Sequence, residues 1–436
     1  MTNLLRTWLL ILAAGATSLP GQQAGAPVTI RAAQVFDGRA VQRNVVVTVR
    51  GSKIERVAPA AGAVTYDLGS MTLLPGFIDT HVHIGWHFDA NNRWVDEGES
   101  ADQAALYGAE NAYVTLMAGF TTVQSVGRPS DKPLRDAIAR GVLPGPRILT
   151  SLDQMTDARL TPQQLREYVR RKKAEGADLI KIFASASIRD GGGATLSQEQ
   201  LDAACGEARA QGLRTMIHAQ SAESMIRAAR AHCTAVEHGV LATQEAFTIL
   251  AQNGIWFDPN IGLNFPNYFE FKPRFLGLGN YTEEGFAAMG KAHALGGPMF
   301  KMALRTPGLK MVMGTDANAG AHGRNARETI ERVRFGQKPM DALIDLTSHG
   351  AESLNLQNLI GFITPGFEAD LVAVDGDPLT DITALESVDQ LEIGLLEKPI
   401  DEASGLAISR RVLDPGALIF PTLPIARAER KGGRGA

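Results

Sequence analysis

Between residues 73 and 356, short apolar runs alternate with longer segments of helical character. The runs lie at 73–83, 119–123, 147–150, 179–184, 215–219, 235–238, 255–258 and 311–315. Runs this short and this continuously apolar suit parallel strands covered on both faces. The intervals carry helix punctuation. Thr161 is a cap with Pro162 in the first turn, and Gly176 closes that helix. Ser197 and Gln200 form a capping box. Thr243 opens a helix that runs to Gly254. Strand–helix alternation of this kind predicts an α/β fold, a (β/α)8 TIM barrel, whose catalytic groups sit at the C-terminal ends of the strands.

Outside that region the pattern changes. Residues 28–72 hold short strand-type runs, with 45–49 and 54–57 flanking the hairpin-like turn Arg50-Gly51-Ser52-Lys53. Strand-type residues return at 361–378. Two long connections interrupt the alternation. Residues 85–94 carry Trp86, His87, Phe88 and Trp94; residues 260–305 carry Phe265, Tyr268, Phe269, Phe271, Phe275 and Tyr281. Such aromatics either shape access to a catalytic face or simply pack the loops down, and the sequence leaves both open.

The N-terminus reads as a leader. Arg6 precedes an apolar stretch over 8–16 that is too short to span a bilayer, and small residues follow. Residues 1–26 are therefore expected to be a cleaved signal peptide, with export to a periplasm or the medium and no stable membrane anchor. The two cysteines, Cys205 and Cys233, are expected to be buried thiols, although an oxidising compartment permits a disulfide. A net charge of −4 gives no support to a nucleic-acid partner, and the basic tail 426–436 reads as a frayed terminus.

The chemistry concentrates at the ends of the apolar runs. LLPGFIDTHVH ends in His81 and His83, which share one face of a strand. DLIKIFAS carries Lys181, TMIHAQ carries His218, AVEHG carries His238 and MVMGTDA carries Asp316. Glu237, next to His238, is expected to point to the opposite face and to be structural. After Asp316 comes the patch His322-Gly323-Arg324-Asn325.

This ordered set resembles the amidohydrolase superfamily, in its imidazolonepropionase-like branch with prolidase-type dipeptidases and ochratoxin-type amidases. The resemblance covers residues 28–378 and implies a small β-sandwich composed of 27–72 and 357–425 around a catalytic barrel over 73–356. It implies two divalent metal ions, zinc first among them. His81, His83 and Asp316 would hold one, His218 and His238 the other, and Lys181 would bridge them as an N6-carboxylated side chain. A metal lowers the pKa of bound water from 15.7 to roughly 7, and the bridging hydroxide would attack an amide with Asp316 moving the proton. His322 is expected to be catalytic or to buttress the metals. Arg324, Asn325, Trp86 and His87 are expected to meet the substrate, Arg324 through a substrate carboxylate.

The implied reaction is hydrolysis of a small amide, such as a dipeptide of Xaa-Pro type or an N-acyl amino acid. A homo-oligomer is compatible with it. A cyclic amide, lactone or phosphotriester would suit the same site. Deamination suits it less, because deaminase relatives place a glutamate where this chain has Ser221. A metal-free scaffold is disfavoured by the presence of every ligand-type residue. Residues 393–420 do not align with the family's closing strand.

Overall fold

The computed structural model describes residues 26–95 and 98–389. The leader, apart from Ala26, lies outside the described residues, as do 393–420 and the basic tail. No described helix is long and apolar enough to cross a membrane.

The apolar runs contribute strands, although of the run 311–315 only Met311 is in one, and from Phe77 onward these strands lie in two parallel sheets. One sheet orders Arg147–Thr150, Phe120–Ser125 and Phe77–Val82. The other runs from Gln154–Met155 through Leu179–Phe183, Arg214–Ser221, Ala235–Leu241 and Trp256–Asp258 to Lys310–Met311. Hydrogen bonds join the edge of the first sheet to the segment after the last strand. Thr80 N donates to Met313 O at 3.0 Å, Asp316 N to His81 O at 2.8 Å and His83 N to Ala317 O at 2.8 Å. Main-chain hydrogen bonds thereby hold His81 and Asp316 across from each other.

Helices cover the outer faces. Pro162–Glu175 starts in a capping box between Thr161 and Gln164 and stops at Gly176, whose φ of 95° few other residues tolerate. Gln198–Ala210 has the capping box of Ser197 and Gln200, and Gln244–Gln252 is capped by Thr243. Their apolar faces pack on the strands through Leu165, Leu201, Phe247, Ile217, Val236 and Phe257, all inaccessible to solvent.

The run over 73–83 is two strands, not one. Thr72–Pro75 pairs with Leu371–Val374 in a five-stranded sheet, while Phe77–Val82 pairs with Phe120–Ser125. Gly76 makes the switch, and a Cβ there would come within 2.0 Å of the Thr121 hydroxyl. The chain therefore passes from one sheet to the other at Gly76. The five-stranded sheet packs against a four-stranded one through Ile30, Val47, Ile54, Leu73 and Leu371. Its N-terminal and C-terminal strands share hydrogen bonds, and the Arg50–Lys53 turn closes a hairpin. Arg147 Nη1 meets Asp370 Oδ2 at 2.9 Å and ties these sheets to the parallel ones.

Two further expectations are corrected. Residues 260–305 are largely helical, as Asn264–Glu270, Lys272–Phe275 and Glu283–Leu304. The cysteines are bonded to each other, with Cα atoms 5.2 Å apart, linking the middle of helix Gln198–Ala210 to the turn before strand Ala235–Leu241.

Candidate active site

Parallel pairing aligns the strand ends. Phe183 lies beside His218, Ala219 beside His238, and Val82 bridges to Ala317. His81, His83, Lys181, His218, His238 and Asp316 all line one cavity there. Ring centroids are 5.5 Å apart for His81 and His83, 5.4 Å for His81 and His238, and 4.6 Å for His218 and His238. Asp316 Oδ1 lies 3.3 Å from His81 Nε2 and 2.9 Å from His83 Nε2. Lys181 Nζ lies 3.2 Å from His81 Nε2.

Two of these residues hold backbone conformations that L-residues rarely adopt. His238 has φ of 72° and Asp316 has φ of 54°. Each costs on the order of 1–3 kcal/mol, sustained by the surrounding structure. At His238 the consequence is direct. The strand's alternation breaks, and Gly239 follows with φ of 58°. Glu237 and His238 then both reach His81: Glu237 Oε2 is 3.1 Å from its Nδ1. The expectation that Glu237 faces away is thus corrected.

Burial sets the charge states. It holds His81 and His238 well below the usual imidazole range and His218 at about 3, with Lys181 adding to each. Burial also lowers Lys181, opposed by Glu237, Asp316 and Asp258. For His81, desolvation outweighs its two carboxylate neighbours, so the ring is neutral. A proton on Nδ1, facing Glu237, leaves the Nε2 lone pair turned toward Lys181 and Asp316.

A polar layer beneath fixes these groups. Asp79, fully buried, accepts from His81 N at 3.1 Å, Thr315 N at 3.0 Å, Thr315 Oγ1 at 2.7 Å and Asn325 Nδ2 at 2.7 Å. Burial pushes its carboxyl up to about 7. Asp258 accepts from Arg332 Nη2 at 2.8 Å, and Arg332 Nε donates to Glu328 at 2.8 Å, all inaccessible to solvent.

Trp86 lines the cavity and stacks on His83 with centroids 4.1 Å apart. Phe265 and Tyr268 also line it. Phe88, Trp94, Phe271, Phe275 and Tyr281 pack behind them in one aromatic cluster. Access and packing are therefore divided between the aromatics.

The other expected contacts lie elsewhere. His322 Nε2 donates to His83 O at 3.1 Å, a buttress and not a cavity wall. Arg324 Nη2 pairs with Glu270 Oε2 at 2.5 Å, and Asn325 holds Asp79. His87 stacks on Tyr107 at 3.9 Å and bonds Glu99 at 3.1 Å. None of these four is among the cavity's lining residues.

Sequence reading missed several lining groups. Asn264 Nδ2 donates to Asp316 Oδ2 from a helix that reads as loop. Gln220 is buried, and its Oε1 has no partner among the described residues. Arg189 follows the Lys181 strand, where a Gly-rich loop after a ligand-type residue is a usable signal. Gln154 reaches toward His83 Nδ1 at 3.5 Å.

Comparison with known proteins agrees with this geometry. The model of the Amidohydrolase family matches residues 72–393. Ochratoxinase of Aspergillus niger is 24% identical over 358 residues, covering 72% of each chain. A crystal structure of a Xaa-Pro dipeptidase with bound methionine in the active site superposes with a TM-score of 0.75 at 28% identity, over 84% of this chain and 97% of that one. A putative prolidase from Bifidobacterium longum gives 0.70 at 25% identity, over 83% and 92%.

Proposed function

The chain belongs to the amidohydrolase family and is a hydrolase acting on amide C–N bonds, and from that premise we propose a dinuclear metal enzyme that cleaves dipeptides or N-acyl amino acids outside the cytoplasm. The observation that carries this reading is the convergence of three pairs of ligand-type side chains in one cavity: His81 with His83, His218 with His238, and Lys181 with Asp316. On this reading the two parallel sheets close into a barrel around the site, supported by the hydrogen bonds from Thr80 and His83 to the last strand's extension.

The donor set fits divalent cations. Neutral imidazoles and an amine face one another across a buried space, with Lys181 Nζ against His81 Nε2. Electron-pair donors crowded this way, away from water, are stabilised by a cation between them. His81, His83 and Asp316 offer ligand atoms within 4.8 Å of one another and would hold one ion. His218 and His238 would hold the second. Burial favours the uncharged amine of Lys181, and that amine would add carbon dioxide with loss of a proton to give a carbamate, whose oxygens would complete the donor set. Bound there, the ions supply Lewis acidity toward the scissile carbonyl and acidify water.

The protein's own groups do the rest. Asp316 takes a proton from water as the water oxygen bonds to the carbonyl carbon. It returns that proton to the amide nitrogen as the C–N bond breaks. Asn264 keeps the Asp316 carboxylate turned toward His81 and His83. Trp86, Phe265 and Tyr268 exclude water from the substrate's apolar part. The Cys205–Cys233 disulfide and the N-terminal leader pattern support export.

The test is elemental analysis of purified protein followed by a hydrolysis panel of dipeptides and N-acyl amino acids. Two metals per chain and turnover of panel members are expected. Asp316→Asn, which cannot accept the proton, is expected to lower kcat by at least about 100-fold. A metal-free wild type, or Asp316→Asn with unchanged kcat, would overturn the reading.

A further inference from the structure

The loop after the Lys181 strand returns one arginine to the cavity. Arg189 sits in the turn Ile188–Asp190, opened by Ser187, whose hydroxyl accepts from Arg189 N at 3.2 Å, and closed by Gly191 with φ of 91°. Its guanidinium carbon lies 4.0 Å from the centroid of the Tyr281 ring. Its Nε donates to Asn280 Oδ1 at 2.8 Å. Asn280 Nδ2 in turn donates to Asp190 Oδ2 at 2.6 Å, which fixes the end of the amide that Arg189 meets. Stacking takes one face of the guanidinium and Asn280 takes one edge. The Nη1 edge has a sulfur contact to Met289 at 3.9 Å.

No described carboxylate lies within ion-pair distance of Arg189, whereas Arg324, the arginine expected to meet substrate, is paired with Glu270. Asp190 is adjacent in sequence, but it is exposed and engaged with Asn280. Lys181, the other basic residue of the cavity wall, is committed to the histidine cluster. Arg189 is therefore a half-buried cation, held in place on the wall of a site that it shares with Gln220, Phe265 and Tyr268, while Asp316, the lining carboxylate, is engaged by His81, His83 and Asn264. Tyr268, on the same wall, accepts from the Tyr281 hydroxyl at 3.0 Å and keeps its own proton to donate. Burial holds that phenol well above its usual range.

We propose that Arg189 determines specificity by pairing with a free carboxylate on the substrate, so that the enzyme cleaves the amide of an acid and discriminates against neutral amides. This rests on the amide-hydrolase reading above and assigns the residue that selects acids within it. The planar fork of arginine suits a carboxylate. A half-buried cation whose remaining water a neutral ligand displaces without pairing it penalises that ligand, which gives discrimination as well as affinity.

The test compares each N-acetyl amino acid and dipeptide in a panel with its C-terminal carboxamide, its neutral isostere, using full-length zinc-loaded protein. Wild type is expected to favour the acid by at least about 100-fold in kcat/KM. Arg189→Gln is expected to lose that preference, mostly through a raised KM on the acid, so that the acid-to-carboxamide ratio falls toward one. Arg189→Lys, which keeps the charge but not the fork, is expected to fall between. The acid-to-carboxamide ratio is insensitive to a general loss of folded protein, and the wild-type arm needs no variant. Equal rates on acid and carboxamide in wild type, or an unchanged ratio in Arg189→Gln, would overturn the proposal while leaving amide hydrolysis standing. Turnover of neither form would overturn the amide substrate itself and this inference with it.

Discussion

Glu237 Oε2 sits 3.1 Å from His81 Nδ1, although Glu237 is the strand neighbour of His238, whose own ring lies 5.4 Å from that of His81. Two consecutive residues serve the same imidazole because His238 takes a left-handed conformation. An acceptor on the far nitrogen fixes which tautomer His81 presents and raises its basicity.

Glu237→Ala removes that acceptor. The expected result is zinc affinity weaker by about 10–100-fold, with Glu237→Gln, which retains an acceptor, weakened less. Competition with a chromophoric chelator measures it. Affinity in Glu237→Ala equal to wild type would show that the contact does not orient His81.

His322 gives a prediction in pH. Burial holds its imidazole at about 3, against 6.5 for the ordinary group. Between those values the unfolded chain binds a proton that the native state refuses, so this contribution to stability is complete above pH 6.5 and is lost as pH falls toward 3. His322→Gln has no such proton. The stability advantage of wild type over the variant should shrink by about 1.4 kcal/mol per pH unit between roughly pH 6 and 4. Urea unfolding of chelator-treated protein across that range is the measurement, and parallel pH profiles for the two proteins would refute it.

What the sequence made legible follows from what it encodes locally. Each strand bearing a ligand-type residue is a short apolar run, and burial on both faces needs nothing more to be recognised. The capping pairs Thr161 with Gln164 and Ser197 with Gln200 are local too. The direction of Glu237 is not legible because strand alternation breaks at His238, and a positive φ at a non-glycine residue has no sequence mark of its own. Asn264 was missed because Pro, Gly and aromatic residues across 260–305 obscure the helical period. Arg324 and Arg189 look alike as letters; only the tertiary partner, Glu270 for one and the Tyr281 ring for the other, separates them.

The disulfide was left open for the same reason, since pairing needs Cα atoms within reach. Cys205 and Cys233 close a loop with a sequence separation of 28. On the chain-entropy account, such a loop contributes roughly 3–4 kcal/mol. Protein from the native compartment should therefore show no free thiol when denatured, and Cys233→Ser should unfold at a lower temperature than wild type. Two titratable thiols in that material would contradict both the bond and the export reading. Intact mass of the same material should lack roughly the first 26 residues.

Lys181 separates the dinuclear reading from a merely structural one. It is buried at 1% exposure, with Nζ against His81 Nε2. If its carbamate joins two metals, Lys181→Ala removes an oxygen ligand from both ions at once. Metal content should then fall from two per chain to one or fewer, and activity should collapse. The space vacated by the side chain should admit acetate or formate, whose two oxygens can stand in for the carbamate, so added carboxylate should restore part of the activity. If Lys181 only packs in its strand, the substitution should cost an ordinary point-mutant amount, roughly 0.5–3 kcal/mol, and leave stoichiometry alone. Elemental analysis of wild type and variant, each purified with saturating zinc and bicarbonate, decides between them. A folded, active variant with two metals would exclude the bridge, whereas a wild type with one would move the chain toward a mononuclear mechanism that needs no carbamate.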